Sequence, residues 1–131
     1  MQPKFDLPLD TFHLRPVEPG EIIFLEGQPA DKAYVILKGH VDVMVRDPHG
    51  NLVAVNRMMP GELFGEIALF SADQKRTATV MAADKCELLE IQRDVFDSRF
   101  AKADPLIKLV LDHLVNRLAK ITDKFVSGGD K

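Results

Sequence analysis

The chain has 131 residues, 46% of them hydrophobic and 28% charged, with a formal net charge of −3 when its four histidines are neutral. That length predicts one domain, the apolar share predicts a packed core rather than disorder, and the acidic balance excludes the basic footprint that nucleic acid or anionic lipid requires. The lone cysteine, Cys86, excludes an internal disulfide framework, a cysteine-ligated zinc site and an iron–sulfur cluster.

No apolar run approaches the ~18 residues of a membrane helix. The first residues, Met1-Gln2-Pro3-Lys4-Phe5-Asp6, lack the apolar stretch of a signal peptide. Both observations predict a soluble, cytoplasmic protein with no membrane partner.

Residues 1–11 read as an N-terminal extension. From Phe12 to about Gln92 short apolar runs alternate with Gly, Pro, Asp and Asn. The run Glu21–Glu26 is followed by Gly27-Gln28-Pro29-Ala30-Asp31, and Ala33–Leu37 ends at Lys38-Gly39. Val41, Val43 and Val45 alternate with Asp42, Met44 and Arg46, the period of a half-buried strand. Asp47-Pro48-His49-Gly50-Asn51 is a turn that returns Leu52–Met58 as the partner strand. Two further runs, Arg76–Ala82 and Cys86–Gln92, are joined by Ala83-Asp84-Lys85. Strands at this spacing with polar turns predict an antiparallel sandwich or barrel of jelly-roll type.

After Gln92 the rhythm becomes helical. Val95, Phe96, Arg99 and Phe100 fall at helical spacing, and Asp104-Pro105 is an N-cap followed by a first-turn proline. The second helix is expected from Pro105 to about Phe125, closing the domain near residue 126, with 127–131 as a flexible tail. Ile107, Leu111, Leu114, Leu118, Ile121 and Phe125 form a heptad seam, with Leu106 and Val110 as a second apolar edge. One reading packs a single wide stripe on the β-structure; the other uses two faces of the 105–125 helix, one for the β-structure and one for a partner helix in a homodimer.

The segment Pro60–Val80 carries the chemistry. Strand alternation over Arg76–Ala82 puts Arg76 in phase with Ala78, Val80 and Ala82, small apolar residues suited to an inner face. An unpaired guanidinium buried there costs several kcal/mol, so Arg76 requires an anion. Gly65-Glu66 precedes Ile67-Ala68-Leu69-Phe70; a helical turn beginning near Glu66 leaves N–H groups free for a phosphate. Glu66 has the wrong sign for phosphate but suits a ribose hydroxyl. Phosphate and ribose together point to a nucleotide. The competing reading is a buried Glu66–Arg76 ion pair with no ligand, and the residues alone leave both open.

Other chemistries lack their constellations. His13, His40, His49 and His113 are scattered, against a metal-dependent jelly-roll enzyme. Cys86 opens an apolar strand with no histidine placed beside it by the pattern, and Ser71 has no Gly-x-Ser-x-Gly setting. There is no Walker-type glycine loop, so phosphoryl transfer has no support. The chain is therefore expected to be non-enzymatic.

Phe64-Gly65-Glu66-Ile67-Ala68-Leu69, a six-residue gap and Arg76-Thr77-Ala78-Thr79-Val80 resemble the phosphate-binding cassette of cyclic nucleotide-binding domains. The resemblance extends to Pro19–Phe24, Gly27, Ala30–Gly39 and Pro60-Gly61-Glu62, and covers roughly Phe12 to Ile121. It implies a mainly β fold with flanking α: an antiparallel β-roll (double-stranded β-helix, jelly-roll type) over 12–92, a short phosphate-cassette helix, and C-terminal helices over 93–126. It also implies roles. Gly65 gives its backbone close approach to the cyclic phosphate, Glu66 accepts from the ribose 2′-hydroxyl, and Ile67 and Ala68 offer backbone N–H groups. Arg76 pairs with the charged phosphate oxygens, and Thr77 bonds the phosphate and, in some members, the amino group of guanine. Lys75 stands where many eukaryotic members have proline. The base is expected against Val53, Val55 and Phe64, with the last helix as its cap and Arg117, Leu118, Ile121 and Thr122 as candidates on it.

The resemblance thus implies a sensor of cAMP or cGMP, needing no cofactor beyond that ligand, that signals by rearranging its C-terminal helices. No winged helix, kinase or channel follows the long helix, so the effector is unassigned and the chain reads as a stand-alone receiver or a regulatory fragment of a larger regulator. The alternative is a β-roll interaction or dimerisation module that has lost its nucleotide.

Overall fold

The computed structural model describes residues 12–69 and 75–129; side chains are described for these residues except Ile67 and 118–129. Among the described residues, eight strands form two antiparallel sheets. In chain order they are β1 (His13–Val17), β2 (Ile22–Phe24), β3 (Lys32–Lys38), β4 (Val41–Arg46), β5 (Leu52–Met58), β6 (Leu63–Phe64), β7 (Thr79–Ala82) and β8 (Cys86–Gln92). One sheet runs β1-β8-β3-β6 and the other β2-β7-β4-β5. The chain changes sheet at every connection except β4 to β5, the one hairpin made within a sheet. This is the expected antiparallel β-roll. A short 3₁₀ turn, Glu66–Leu69, follows β6, and two helices, α1 (Arg93–Ala101) and α2 (Pro105–Gly129), follow β8.

The two sheets close on Val17, Phe24, Tyr34, Ile36, Val41, Phe64, Val80, Ala82 and Leu88. Burying such side chains is worth roughly 1.5–3 kcal/mol each, the main driving force for the fold. The chain divides into two compact units, the first ending at Phe96 and holding the β-roll, the second beginning at Asp97 and holding most of the helical region.

Three turns share one construction. Gly20-Glu21 opposes Ala82, Gly27-Gln28 opposes Arg76, and Gly61-Glu62 opposes Ile36. Each glycine N–H donates to the opposing carbonyl at 2.8 Å, and the opposing N–H donates to the carbonyl of the residue after the glycine, at 2.8–3.1 Å. Two residues thus face one, a β-bulge whose first position needs positive φ; the glycines adopt 82°, 89° and 96°. The side chain after each glycine reaches back to the start of its turn: Glu21 accepts from Glu18 N–H, Gln28 from Leu25 N–H and Glu62 from Met59 N–H. Gly20-Glu21, Gly27-Gln28 and Gly61-Glu62 are these turns, whereas the fourth such pair, Gly65-Glu66, opens the 3₁₀ turn instead.

Two elements depart from the sequence reading. Strand β7 begins at Thr79, not Arg76, because the bulge at Gly27-Gln28 takes Arg76 out of the regular ladder and Thr77-Ala78 bend before pairing resumes. The long helix continues to Gly129, a few residues past the expected end near Phe125; glycine weakens a helix by about 1 kcal/mol per residue but does not stop it as proline does. On α2, Leu106, Ile107, Leu109, Val110 and Leu114 are exposed, the last half of the expected seam (Leu118, Ile121 and Phe125) falling among residues whose side chains lie outside the described set. Among the described residues, no helix is long and apolar enough to cross a membrane. The N-terminal extension 1–11 and most of the gap, residues 70–74, also lie outside the described residues.

Candidate functional site

The bulge at Gly27-Gln28 positions Arg76. Its backbone is fixed on both sides, N–H to Gln28 O and carbonyl to Gly27 N–H, each at 2.8 Å. So anchored, the side chain runs inward and is only 6% exposed. Arg76 is buried as expected, but a bulge puts it there and not strand alternation.

Inside, the guanidinium meets carbonyls and rings. Nη2 donates to Lys32 O at 2.7 Å and Nη1 to Gly65 O at 3.5 Å. Its carbon lies 4.0 Å from the centroid of the Phe24 ring and 6.0 Å from that of Tyr34. Phe24, Tyr34 and Phe64 form one aromatic cluster, with Tyr34 and Phe64 stacked at 5.1 Å. A cation over such faces gains about 0.5–2 kcal/mol. That does not complete its bonding. Nε is buried with no hydrogen-bond partner among the described residues. Burial lowers the pKa of Arg76, with Tyr34 and Asp31 opposing the shift. Among the described residues no carboxylate is in ion-pair range of this cation. The Glu66–Arg76 ion pair is absent; Glu66 is exposed at the start of the 3₁₀ turn.

Gly65 has to be glycine here. It has φ +72°, and a Cβ would stand 2.7 Å from Arg76 Nη1 and 3.3 Å from Lys32 O. The turn after it is closed by Ala68 N–H donating to Gly65 O at 3.2 Å. Ala68 N–H, expected as a free donor, is therefore engaged; in so short a turn it is the first amide to find an internal partner. The far end is also held: Arg93 Nη2 donates to Ala68 O at 2.6 Å.

The remaining expected residues fall in different settings. Thr77 is exposed beside Arg76, whereas Thr79 is buried, its hydroxyl accepting from Glu26 N–H at 3.0 Å. Phe64, expected beside a base, is in the core because its pairing with Tyr34 turns the ring inward. Val53 and Val55 are exposed on the edge strand β5. Arg117 is exposed on α2, while the side chains of Leu118, Ile121 and Thr122 lie outside the described residues. Sequence reasoning missed Phe24 and Lys32, which hold the guanidinium, and Arg93. A backbone acceptor such as Lys32 O leaves no trace in residue identity; a phenylalanine at the inward end of β2 was a usable signal for Phe24.

The cyclic nucleotide-binding domain family model matches residues 14–103. The chain belongs to this family. Its members among curated proteins include the cAMP-activated global transcriptional regulator CRP of Salmonella typhimurium, 28% identical over 95% of this chain and 61% of the relative's length. A CRP-like cAMP-activated regulator of Mycobacterium tuberculosis is 30% identical over 84% of this chain and 50% of its own. The domain thus spans between half and three-fifths of these relatives. Among solved structures, the Thermus thermophilus catabolite activator protein aligns with TM-score 0.71 at 27% identity, covering 91% of this chain and 55% of that one. The cGMP-bound form of an EAL enzyme aligns with TM-score 0.68 at 29% identity over 88% of this chain and 30% of that one. That match involves under a third of the enzyme.

Proposed function

We propose that this domain is a non-enzymatic sensor that binds a 3′,5′-cyclic nucleotide, cAMP or cGMP, at the segment Phe64–Thr77. One observation carries the reading: a buried guanidinium with an unpartnered Nε and no carboxylate in range among the described residues. A cyclic phosphate supplies the missing negative charge and the acceptor, and charge-assisted bonds of this kind are about twice as strong as neutral ones. Gly65 permits close approach, the exposed Glu66 accepts from the ribose 2′-hydroxyl, and the backbone of Ile67 and Ala68 adds donors once the Ala68–Gly65 bond opens. Thr77 contributes its hydroxyl to the phosphate. The base lies toward Val53 and Val55, with Arg117, Leu118, Ile121 and Thr122 as its cap, and Phe64 acts from beneath as part of the aromatic floor. The cAMP-activated relatives and the EAL enzyme solved with cAMP and with cGMP support the ligand class.

The exposed apolar residues of α2 favour a second, compatible reading, self-association through that helix, with the output delivered to an effector outside this domain. The decisive experiment for the first reading is calorimetric titration of the full chain with cAMP and with cGMP. Saturable heat with one or both supports it. No heat and no thermal stabilisation at millimolar nucleotide overturns it.

A further inference from the structure

Resting on that binding reading, we infer that Arg93 is the positioning residue through which occupancy of the cassette reaches α1. The 3₁₀ turn Glu66–Leu69 is gripped at its two ends by two arginines with different attachments. Arg76 approaches Gly65 O at its front, a long 3.5 Å contact, and Arg93 holds Ala68 O toward its rear at 2.6 Å. A turn of four residues leaves its last carbonyls without internal partners, so a charged donor from outside is the natural acceptor's match.

The two anchors differ in what moves with them. Arg76 is set by the β2–β3 bulge and faces the ligand. Arg93 is the first residue of α1 and follows β8 directly. Strand β8 is paired on both sides, with β1 and β3, and its last residue Gln92 lies opposite Lys32, whose carbonyl holds Arg76. The backbone before Arg93 is therefore rigid, and the backbone after it opens the helix. An anion that draws Arg76 away from Gly65 and opens the Ala68–Gly65 bond shifts the carbonyl that Arg93 holds. Either the short bond breaks or the first turn of α1 follows. In both cases α1 responds to a ligand it does not touch, which is the differential contact that a population shift requires.

The test combines calorimetry with hydrogen exchange on the full chain, with and without cAMP, comparing wild type, Arg93→Gln and Arg93→Lys. In wild type, cAMP changes exchange both at residues 65–69 and at residues 93–101. In Arg93→Gln the change at 65–69 stays within about twofold of wild type while the change at 93–101 falls at least fivefold, and Arg93→Lys, which keeps the charge but not the fork, restores part of it. A purely structural role for Arg93 would instead raise exchange without ligand and leave the response to cAMP intact. A response of wild-type size at 93–101 in Arg93→Gln overturns the inference, as does binding by wild type with no response there. Should Arg93→Gln fail to fold, Arg93→Lys carries the test, with a response at 93–101 cut at least twofold expected and an undiminished one overturning. Absence of any binding heat in wild type removes the binding reading and this inference together, so calorimetry separates the two failures.

Discussion

Two buried charges sit on either side of Lys32, and they are treated in opposite ways. Glu90, on β8, is 5% exposed and is met by two cationic side chains, Arg15 at 3.6 Å and Lys32 Nζ at 3.8 Å, and by the imidazole of His13 at 3.7 Å. Arg76 is equally buried, yet it is met by two carbonyls and an aromatic face, and its Nε by nothing among the described residues. Lys32 serves both, its ammonium turned to Glu90 and its carbonyl to Arg76. A charge surrounded by its counter-ions belongs to the fold, because removing it strands the others. A charge left short of an anion costs stability, and a fold retains it where something else completes it.

That contrast is open to direct attack. The largest effect is expected at Arg76→Met, which keeps apolar bulk over Phe24 while removing the charge: nucleotide affinity falls by about 100-fold or more, as loss of charge-assisted bonds demands. The thermal midpoint stays within about 5 °C of wild type, because a poorly compensated buried cation contributes little to stability. Calorimetry and thermal melts read the two quantities separately, and a large drop in midpoint with intact affinity would reverse the assignment. Glu90→Gln should behave in the opposite sense, losing about 1–3 kcal/mol in chemical denaturation while affinity changes less than about threefold.

The smallest effect concerns a third, half-exposed cluster. Asp84 takes His40 Nδ1 at 2.7 Å and His40 N–H at 2.8 Å, and these hydrogen bonds hold its pKa below the ordinary value. A depressed folded-state pKa means a contribution that is present above the unfolded pKa and lost as pH falls through the folded one. Asp84→Asn is therefore expected to have a lower urea midpoint than wild type at pH 7, with the gap closing below about pH 4. A gap that persists unchanged at pH 2.5 would assign the effect to geometry rather than charge.

Much of this architecture was legible because it repeats simple periods. Strands β5 and β8 match their expected bounds, since each is an apolar run closed by turn residues, and the helical turn near Glu66 and the helix start at Pro105 follow from Gly65 and from Asp104-Pro105. The run Arg76–Ala82 was misphased. Alternation assumes an unbroken ladder, and the bulge that breaks it is written 48 residues earlier than Arg76 at Gln28, in a different strand connection. A two-residue strand such as β6 has no period from which to read the direction of Phe64, so its burial against Tyr34 is visible only in the structure.

A family resemblance implied that Gly65, Glu66 and Arg76 form one cassette; the order of amino acids by itself determined that antiparallel strands are followed by helices, that a turn begins near Gly65 and that Arg76 carries a charge in an apolar setting. Those are local properties: hydrophobic period, turn chemistry and the charge a residue carries. Only the tertiary structure decided what Arg76 meets, that Glu66 stays away from it, that Lys32 offers a carbonyl on one side and an ammonium on the other, and that Arg93 grasps Ala68. These depend on backbone atoms common to every residue and on strands brought together from distant parts of the chain, and such information has no letter in a sequence.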